Sequence, residues 1–458
     1  MFVSLPHSIR EPSTVAAIDE NGSTTKTKAI SIAARRMNPV QGVNSKVFVT
    51  THKIMAQYTG VLCHVTSLPN GLDDGEKFID FVNEYGASVW QILPITPPDA
   101  HGSPYASPSA FAAWDSLGQA NKVDMSGEAY WLRDWLLFEH LKSKFDGKPW
   151  WKWPVEYRDR DPNSLAEIEV DDTAQSRFMG RWNEIREHAK AKGVSIIGDL
   201  PIFVGHDSAD VWAHRELFLL DKKGMPQVVA GVPPDYFSKK GQRWGTVLYD
   251  WSAHRKENWR WWKERMARMM RLFDIVRIDH FRGIHSAWAI PVKHKTARKG
   301  KWLEGPKDEL IEALIEVCGS HECIIAEDLG IIPKEVTELR QRHKLEGMSV
   351  LQFAFDDDNK DNPHKPENIT ADRVVYTGTH DNNTTKGWWE EKQRKRLKPY
   401  MKEDETICQT MIRLARESPA GMAIIPIQDI MELGSEARMN TPGVAHGNWQ
   451  WKFRWDQL

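Results

Sequence analysis

The sequence predicts a (β/α)8 TIM-type barrel with inserted subdomains and long loops. Short apolar runs with strand character alternate with helical segments along most of the chain, and about eight such runs can be counted. This alternation indicates parallel strands joined by helical crossovers, and eight repeats favour a closed barrel over a doubly wound sheet. No glycine-rich phosphate loop of either usual type follows a run, which counts against a nucleotide-binding sheet.

Turn-forming residues set the boundaries of these elements. The run at 89–93 stops at Pro94, and the apolar helical spacing at 75–86 ends at Gly86. On such signals, strands are predicted at 60–65, 89–93, 194–197, 274–278, 324–326, 349–354, 373–376 and 423–427. Helices are predicted at 75–86, 128–143, 173–192, 256–272, 307–318 and 333–341.

The composition excludes several classes of function. The 61 Lys and Arg against 63 Asp and Glu give a net charge of −2, so neither nucleic acid nor an anionic membrane is expected as a partner. No stretch approaches the roughly 18 apolar residues of a membrane-spanning helix. Four scattered cysteines predict reduced, buried thiols rather than a disulfide framework or a zinc site.

Tryptophan is abundant, with 21 residues against 9 tyrosines. Indole faces stack on the apolar faces of sugar rings, so this abundance is compatible with carbohydrate binding. Most of these indoles are nevertheless expected to pack helices onto the domain. That group includes Trp150, Trp151, Trp153, Trp259, Trp261 and Trp262.

The first 57 residues do not follow the barrel pattern. They are basic and rich in Ser and Thr, which predicts a disordered extension on a catalytic barrel of residues 58–458, with insertions near 95–170 and 205–255. Two interpretations stay open. Residues 1–54 could be a transit peptide for a plastid, or translation could start at Met55 and give a cytoplasmic protein.

Carboxylates follow four of the predicted strands: Asp199, Asp279, Glu327 with Asp328, and Asp381. In a barrel the carboxyl ends of all strands meet at one rim, so these acids are predicted to share one pocket. Glycosidic chemistry needs such a set. One carboxylate attacks the anomeric carbon, a protonated one serves the leaving oxygen, and a third can hold substrate hydroxyls.

The neighbours of these acids suggest different roles. Arg277 lies two residues before Asp279, on the same face of a strand, and would keep that carboxylate ionised. Glu327 follows an apolar run, where burial near other acids would raise its pKa and suit an acid/base. Asp328 is expected to be the structural member of the set.

Two other interpretations of these acids are open. Each acid alone could be a helix N-cap or half of a structural ion pair. His280 beside Asp279 and His380 beside Asp381 could also form a metal site with two histidines and a carboxylate. Adjacent residues on a strand point to opposite faces, however, which makes a His-Asp dipeptide a poor chelate.

The chain resembles the 4-α-glucanotransferases of the amylomaltase, or disproportionating-enzyme, family of α-amylase-type barrels. The resemblance covers residues 60 to about 453 in family order. It rests on motifs at 66–69 (TSLP), 90–94 (WQILP), 102–107 (GSPYAS), 197–204 (IGDLPIFV), 206–212 (HDSADVW), 229–238 (VAGVPPDYFS), 241–245 (GQRWG), 276–283 (VRIDHFRG), 326–330 (AEDLG), 350–355 (VLQFAF), 376–382 (YTGTHDN) and 434–440 (GSEARMN).

The resemblance implies a role for each matched residue and implies no cofactor or metal. Asp279 would be the nucleophile that forms a covalent glycosyl-enzyme, Glu327 the acid/base, and Asp381 the third acid at the cleavage subsite. The substrate-binding residues it implies are Arg277, His280, His380, Asp199, Tyr105 and Ser107, together with Asp235, Tyr236, Phe237 and Trp244 of a loop at 231–247 that arches over the acceptor side.

The chain departs from the family pattern in three places. The loop reads Trp244-Gly-Thr-Val247, where the family usually has Trp-Gly-Asn-Pro. Residues 284–287 read Ile-His-Ser-Ala, where an aromatic residue and a glutamate are usual. The segment at 113–128 is short. The first two changes flank the implied subsites, so they bear on which glucan lengths are preferred.

The expected activity is retaining transfer of α-1,4-glucan segments from a donor to the 4-OH of an acceptor glucan or glucose. A hydrolase that uses the same carboxylates, and an inactive glucan-binding scaffold, are the alternatives. Closing an aromatic loop over the intermediate would exclude water and favour transfer.

Overall fold

The computed structural model describes residues 58–234, 239–392, 394–444 and 446–458. The extension at 1–57 therefore lies outside the described residues. The strands are β1 (Tyr58–Leu62), β2 (Val89–Gln91), β3 (Ser195–Pro201), β4 (Val228–Val232), β5 (Gln242–Arg243), β6 (Ile275–Asp279), β7 (Ser286–Pro291), β8 (Lys301–Glu304), β9 (Ile324–Ala326), β10 (Gly347–Val350), β11 (Arg373–Tyr376) and β12 (Met422–Pro426).

Helices connect these strands and cover the outside of the barrel. They are α1 (Gly75–Glu84), α2 (Leu132–Lys144), α3 (Val155–Arg158), α4 (Pro162–Ala166), α5 (Thr173–Ala191), α6 (Ala209–Ala213), α7 (Trp251–Lys256), α8 (Arg260–Leu272), α9 (Arg282–His285), α10 (Asp308–Cys318), α11 (Lys334–Arg342), α12 (Thr385–Glu391), α13 (Ile407–Arg416) and α14 (Ile427–Ile430).

Eight of the strands form one parallel sheet that closes on itself. The order is β10-β11-β12-β1-β2-β3-β6-β9. A parallel bridge between Ile325 and Glu346 joins the two ends, and the Ala326 N–H donates to the Glu346 carbonyl at 2.8 Å. The predicted (β/α)8 barrel is therefore confirmed, and all eight predicted strands contribute to it.

Several predicted boundaries were wrong by a few residues. β3 runs on to Pro201 because Leu200 and Pro201 continue the pairing with β6, so Asp199 lies inside the strand rather than after it. β10 ends at Val350, and the predicted remainder of that strand is a 3-10 helix at Leu351–Ala354. The helix predicted at 128–143 begins at Leu132.

A second sheet, which the sequence analysis did not predict, stands beside the barrel. It is antiparallel, with the order β5-β4-β7-β8, and it draws two strands from before β6 and two from after it. Val229, Ile290 and Ala297 form a small apolar core of their own within it. The sheet thus connects directly to β6, the strand that carries Asp279.

The tryptophans mostly pack the helical layer, as predicted. Trp150, Trp153, Trp259, Trp261 and Trp262 are buried, while Trp151 is partly exposed and stacks on His206. All four cysteines are free thiols. Among the described residues, no helix is both long and apolar enough to cross a membrane.

Gly198 allows β3 and β6 to bring their acids together. It precedes Asp199, and a Cβ placed on it would lie 2.1 Å from the ring of Phe273, at the start of the β6 segment. Phe273 is buried, so its ring has little room to move. The Phe273 ring can therefore pack closely on the backbone of β3 only because Gly198 has no side chain.

Gly198→Ala is expected to lower the free energy of unfolding by about 2 kcal/mol, because overpacking at this contact strains the core. Urea unfolding followed by circular dichroism measures the change. Gly127→Ala is the matched control, since no atom lies within 4 Å of the added methyl group. Equal stability of the two variants would contradict the packing argument.

Candidate active site

Arg277 joins two acids at the mouth of the barrel. Its Nη1 lies 2.5 Å from the Oδ2 of Asp199, and its Nη2 lies 2.9 Å from the Oδ1 of Asp279. Burial lowers the pKa of the guanidinium, but Asp199 and Asp279 more than offset this and raise it well above its ordinary value. The site therefore contains a permanent positive charge between two carboxylates.

Asp199 is almost fully buried, at 1% exposure, whereas the Asp279 side chain is 28% exposed. Burial raises the pKa of Asp199, and the Arg277 guanidinium opposes that rise. Asp199 also accepts a 2.7 Å hydrogen bond from the Tyr105 hydroxyl. Both partners bind the Oδ2 of Asp199, whose Oδ1 is buried without a hydrogen-bond partner among the described residues, while Asp279 stays partly exposed.

Glu327 is positioned by the backbone of two loops. Its carboxylate accepts 2.7 Å from the His280 N–H and 2.9 Å from the Leu329 N–H. Its own N–H donates to the Ile278 carbonyl, and its carbonyl accepts from the Phe281 N–H. Since β6 and β9 are neighbours, these bonds hold Glu327 beside the end of the strand that carries Asp279.

The two acids influence each other. Burial raises the pKa of Glu327 to about 8, and the negative charge of Asp279 adds to the rise, while Arg277 opposes it. Near neutral pH the Glu327 carboxyl therefore holds a proton. The pair therefore consists of one carboxyl group bound by a guanidinium and one buried acid that keeps its proton, and the roles expected of them from the sequence stay a prediction.

Asp381 lies in the loop after β11 rather than at the strand end, and its side chain is 50% exposed. The Asn440 amide donates 2.6 Å to its Oδ1, and the His380 Nε2 lies 3.3 Å from the same oxygen. The ring of His380 stacks on Tyr105 at 5.3 Å. Burial raises the pKa of Tyr105 well above its ordinary value, and the charges of Asp199, Asp279 and Asp381 add to the rise while Arg277 opposes it.

Trp244, His280 and Phe203 form a second aromatic group near the acids. The Trp244 and His280 rings meet edge to face at 4.8 Å, and Trp244 also contacts Phe203 at 6.2 Å. Burial lowers the pKa of His280 to about 4, so its imidazole is neutral. Its backbone has φ of 51°, an unusual conformation for histidine, and this residue donates the N–H that binds Glu327.

Of the remaining predicted residues, one lines a cavity beside these acids and three are not described by the structure. Ser107 lines the same cavity as Tyr105 and Asp199, but its Oγ accepts from the Ser109 N–H at 3.1 Å. Asp235, Tyr236 and Phe237 lie outside the described residues.

Asp328 is structural, as expected: it accepts from the Met348 N–H and pairs with Arg340 and Arg373. No cluster of three or more metal-ligating side chains occurs among the described residues.

Sequence reasoning missed two neighbours of the site. Trp449 contacts both Tyr105 and His380, at 5.8 and 5.9 Å, and Asn440 binds Asp381. Asn440 closes a motif that the resemblance already contained, and Trp449 follows it by nine residues. The motif at 434–440 was the signal available in the sequence. The contact between Asn440 and Asp381 joins residues almost 60 positions apart, so the motif alone does not predict it.

Asp279→Asn is expected to lower the pKa of Glu327 from about 8, because the negative charge that adds to the shift is removed. A pH titration followed by NMR of protein labelled at the glutamate side-chain carboxyl carbon measures this. Asp381→Asn serves as the control and should leave the pKa in place. An unchanged Glu327 titration in Asp279→Asn would show that the two carboxyl groups do not interact.

Comparison with known proteins gives one consistent result. The sequence profile of the 4-alpha-glucanotransferase family matches residues 63–123 and 122–456, and the match divides inside the segment that is short. The chloroplastic/amyloplastic 4-alpha-glucanotransferase of Arabidopsis thaliana is 40% identical over 86% of this chain and 81% of its own length. The 4-alpha-glucanotransferase of Thermus thermophilus is 39% identical over 86% of this chain and 94% of its own.

Solved structures agree with the sequence matches. The amylomaltase of Streptococcus agalactiae, determined in complex with acarbose, superposes with a TM-score of 0.82 at 31% sequence identity. The superposition covers 88% of this chain and 96% of that one. The chain described here belongs to the 4-α-glucanotransferase family.

Proposed function

We propose that this protein transfers α-1,4-glucan segments through a covalent glycosyl-enzyme formed on Asp279, with Glu327 as the acid/base. The observation that carries the proposal is the pairing of an Asp279 carboxylate held by Arg277 with a Glu327 carboxyl whose pKa is raised to about 8. The family consists of 4-α-glucanotransferases, and it supports this reaction over other glycosidic chemistry.

In the first step an Asp279 oxygen forms a bond to the anomeric carbon of the donor, and the glycosidic C–O bond breaks. Glu327 gives its proton to the departing oxygen, so the leaving glucan segment ends in a free 4-OH. Asp279 attacks as a carboxylate, and the Arg277 guanidinium holds it in place through a 2.9 Å hydrogen bond to its Oδ1. Glu327 needs its proton, which its burial favours.

In the second step the 4-OH of an acceptor attacks the same carbon and displaces Asp279. The ester formed with Asp279 carries no negative charge, so the pKa of Glu327 falls in the intermediate and the residue can accept the incoming proton. Two successive inversions restore the α configuration. The interaction between the two acids thus alternates Glu327 between acid and base.

The other residues surround the reacting sugar. Asp381, held by Asn440, has an exposed oxygen-rich face suited to sugar hydroxyls, while Tyr105, stacked on His380, offers an aromatic surface. Neutral His280 can hydrogen-bond to a sugar without adding charge beside Asp279. Trp244, which contacts His280, suits the acceptor, because its indole can stack on a sugar ring.

The cellular compartment is a separate proposal. We propose the cytoplasm, or a plastid if residues 1–54 are a transit peptide. The chloroplastic/amyloplastic names of the Arabidopsis thaliana and Solanum tuberosum relatives support the plastid alternative. Mass spectrometry of the native N-terminus tests the plastid alternative, since a mature protein that keeps residues 1–54 would contradict removal of a transit peptide.

Maltotriose as sole substrate is expected to give glucose together with a ladder of longer maltooligosaccharides, because each donor also serves as an acceptor. Chromatography of the products over time measures this. Products no longer than maltotriose would identify a hydrolase instead. Binding without turnover would identify a scaffold.

Glu327→Gln is expected to lower transfer from maltotriose by about 10³-fold, because the leaving oxygen is no longer protonated. An α-maltosyl fluoride donor does not need that proton, so it should restore formation of the glycosyl-enzyme in this variant. Asp279→Asn should remain inactive with both donors. Mass spectrometry of the protein detects the covalent species, and fluoride-driven labelling of Asp279→Asn would overturn the assignment of the nucleophile.

A further inference from the structure

Two tryptophans on the second sheet are exposed. Trp244 and Trp302 are each 38% exposed, while every other tryptophan of the described chain is buried or partly buried. Trp244 directly follows β5, and Trp302 lies in β8. Since β5 and β8 are the two edges of the sheet, one exposed indole lies at each edge.

Both indoles are anchored to the segment that continues from Asp279. Trp244 contacts His280, and the Arg282 guanidinium lies 3.9 Å above the centre of the Trp302 ring. Arg282 also donates through Nη1 to the Ile331 carbonyl. Ile331 is 69% exposed and comes four residues after Glu327. Exposed Trp302 and Ile331 and the partly buried Arg282 that contacts both therefore form one surface patch beside the segment that carries Asp279, which we call the Trp302 platform.

The sheet holds Trp302 in a fixed orientation. Leu303 packs on the main core, so its neighbour Trp302 faces the other side of β8. There Trp288 is its cross-strand partner, with ring centres 5.2 Å apart, and the Trp288 indole N–H donates 2.9 Å to the Ala297 carbonyl. An aromatic ring that is already held loses little conformational entropy when a ligand stacks on it.

We propose that the Trp302 platform binds a sugar ring of a long α-1,4-glucan, at a distance from the bond that is cleaved. The inference rests on the proposed function. The platform is continuous with the catalytic centre, because Arg282 follows Asp279 by three residues and the 327–331 loop leads from Glu327 to Ile331. An indole offers an apolar face for a pyranose ring, and the adjacent guanidinium offers donors for its hydroxyls.

The surroundings of the platform are particular to this chain. The family departure at Ile284–Ala287 starts two residues after Arg282 and includes the first residues of β7, the strand that pairs with β8. Burial lowers the pKa of His285 in this segment, and the charges of Lys307 and Arg282 add to the shift.

Trp302→Ala is expected to lower the ratio of kcat/KM for amylose to kcat/KM for maltotriose about tenfold, because only a long chain reaches the platform. Trp302→Phe keeps a flat ring and should retain most of the ratio. Val292→Ala is the matched control, since it removes another exposed apolar side chain, 44% exposed, between β7 and β8, and it should leave the ratio unchanged. Product release from both donors by the purified full chain gives the two constants.

An amylose-to-maltotriose ratio in Trp302→Ala equal to that of the wild type would overturn the platform. Should that variant fail to fold, Ile331→Asn tests the same surface from a loop outside the sheet, and an unchanged ratio there would overturn it equally. Failure of the proposed function looks different. In that case the wild type itself would form no longer products from maltotriose, whatever the ratio.

Discussion

The ion pair between Arg277 and Asp199 fixes the geometry on which the catalytic centre depends. The two residues are direct partners in the parallel register of β3 and β6, so the barrel itself brings their side chains together. Burying such charges is costly unless each has a partner, and here each has one. Asp279, two residues further on the same face of β6, then meets a guanidinium that is already oriented.

This arrangement gives different environments to the carboxyl groups of Asp279 and Glu327, which lie at the ends of adjacent strands. Asp279 has the guanidinium as a partner, whereas Glu327 has only backbone N–H donors and a more buried surrounding. Burial keeps the proton on Glu327, and the Asp279 charge adds to that effect. In the proposed mechanism the same charge serves attack on the sugar, and esterification of Asp279 removes it at the moment when a base is needed.

The sequence was most informative where strands end in charged residues, since a barrel brings all such ends to one rim. It did not predict the Asp199–Arg277 pair, because that contact depends on the register of β3 and β6, which apolar runs do not specify. The second sheet was missed for a related reason: β5 has two residues and β8 four, too few to show a period. The contact of Asn440 with Asp381 joins loops far apart in sequence, beyond the reach of local pattern.

In the proposed function the two sheets have different tasks in glucan recognition. The barrel fixes three acids and one guanidinium through buried ladder contacts, so a change there alters the reaction itself. The antiparallel sheet has a small core of its own and presents indoles at its edges, so its surface can change without disturbing the acids. Both sequence departures that flank the implied subsites fall on or beside this second sheet, Thr246 and Val247 after β5 and His285 before β7. We therefore expect the preferred glucan length to vary through changes in the second sheet. The neighbouring barrel strands carry the acids, and the register of those strands allows little change.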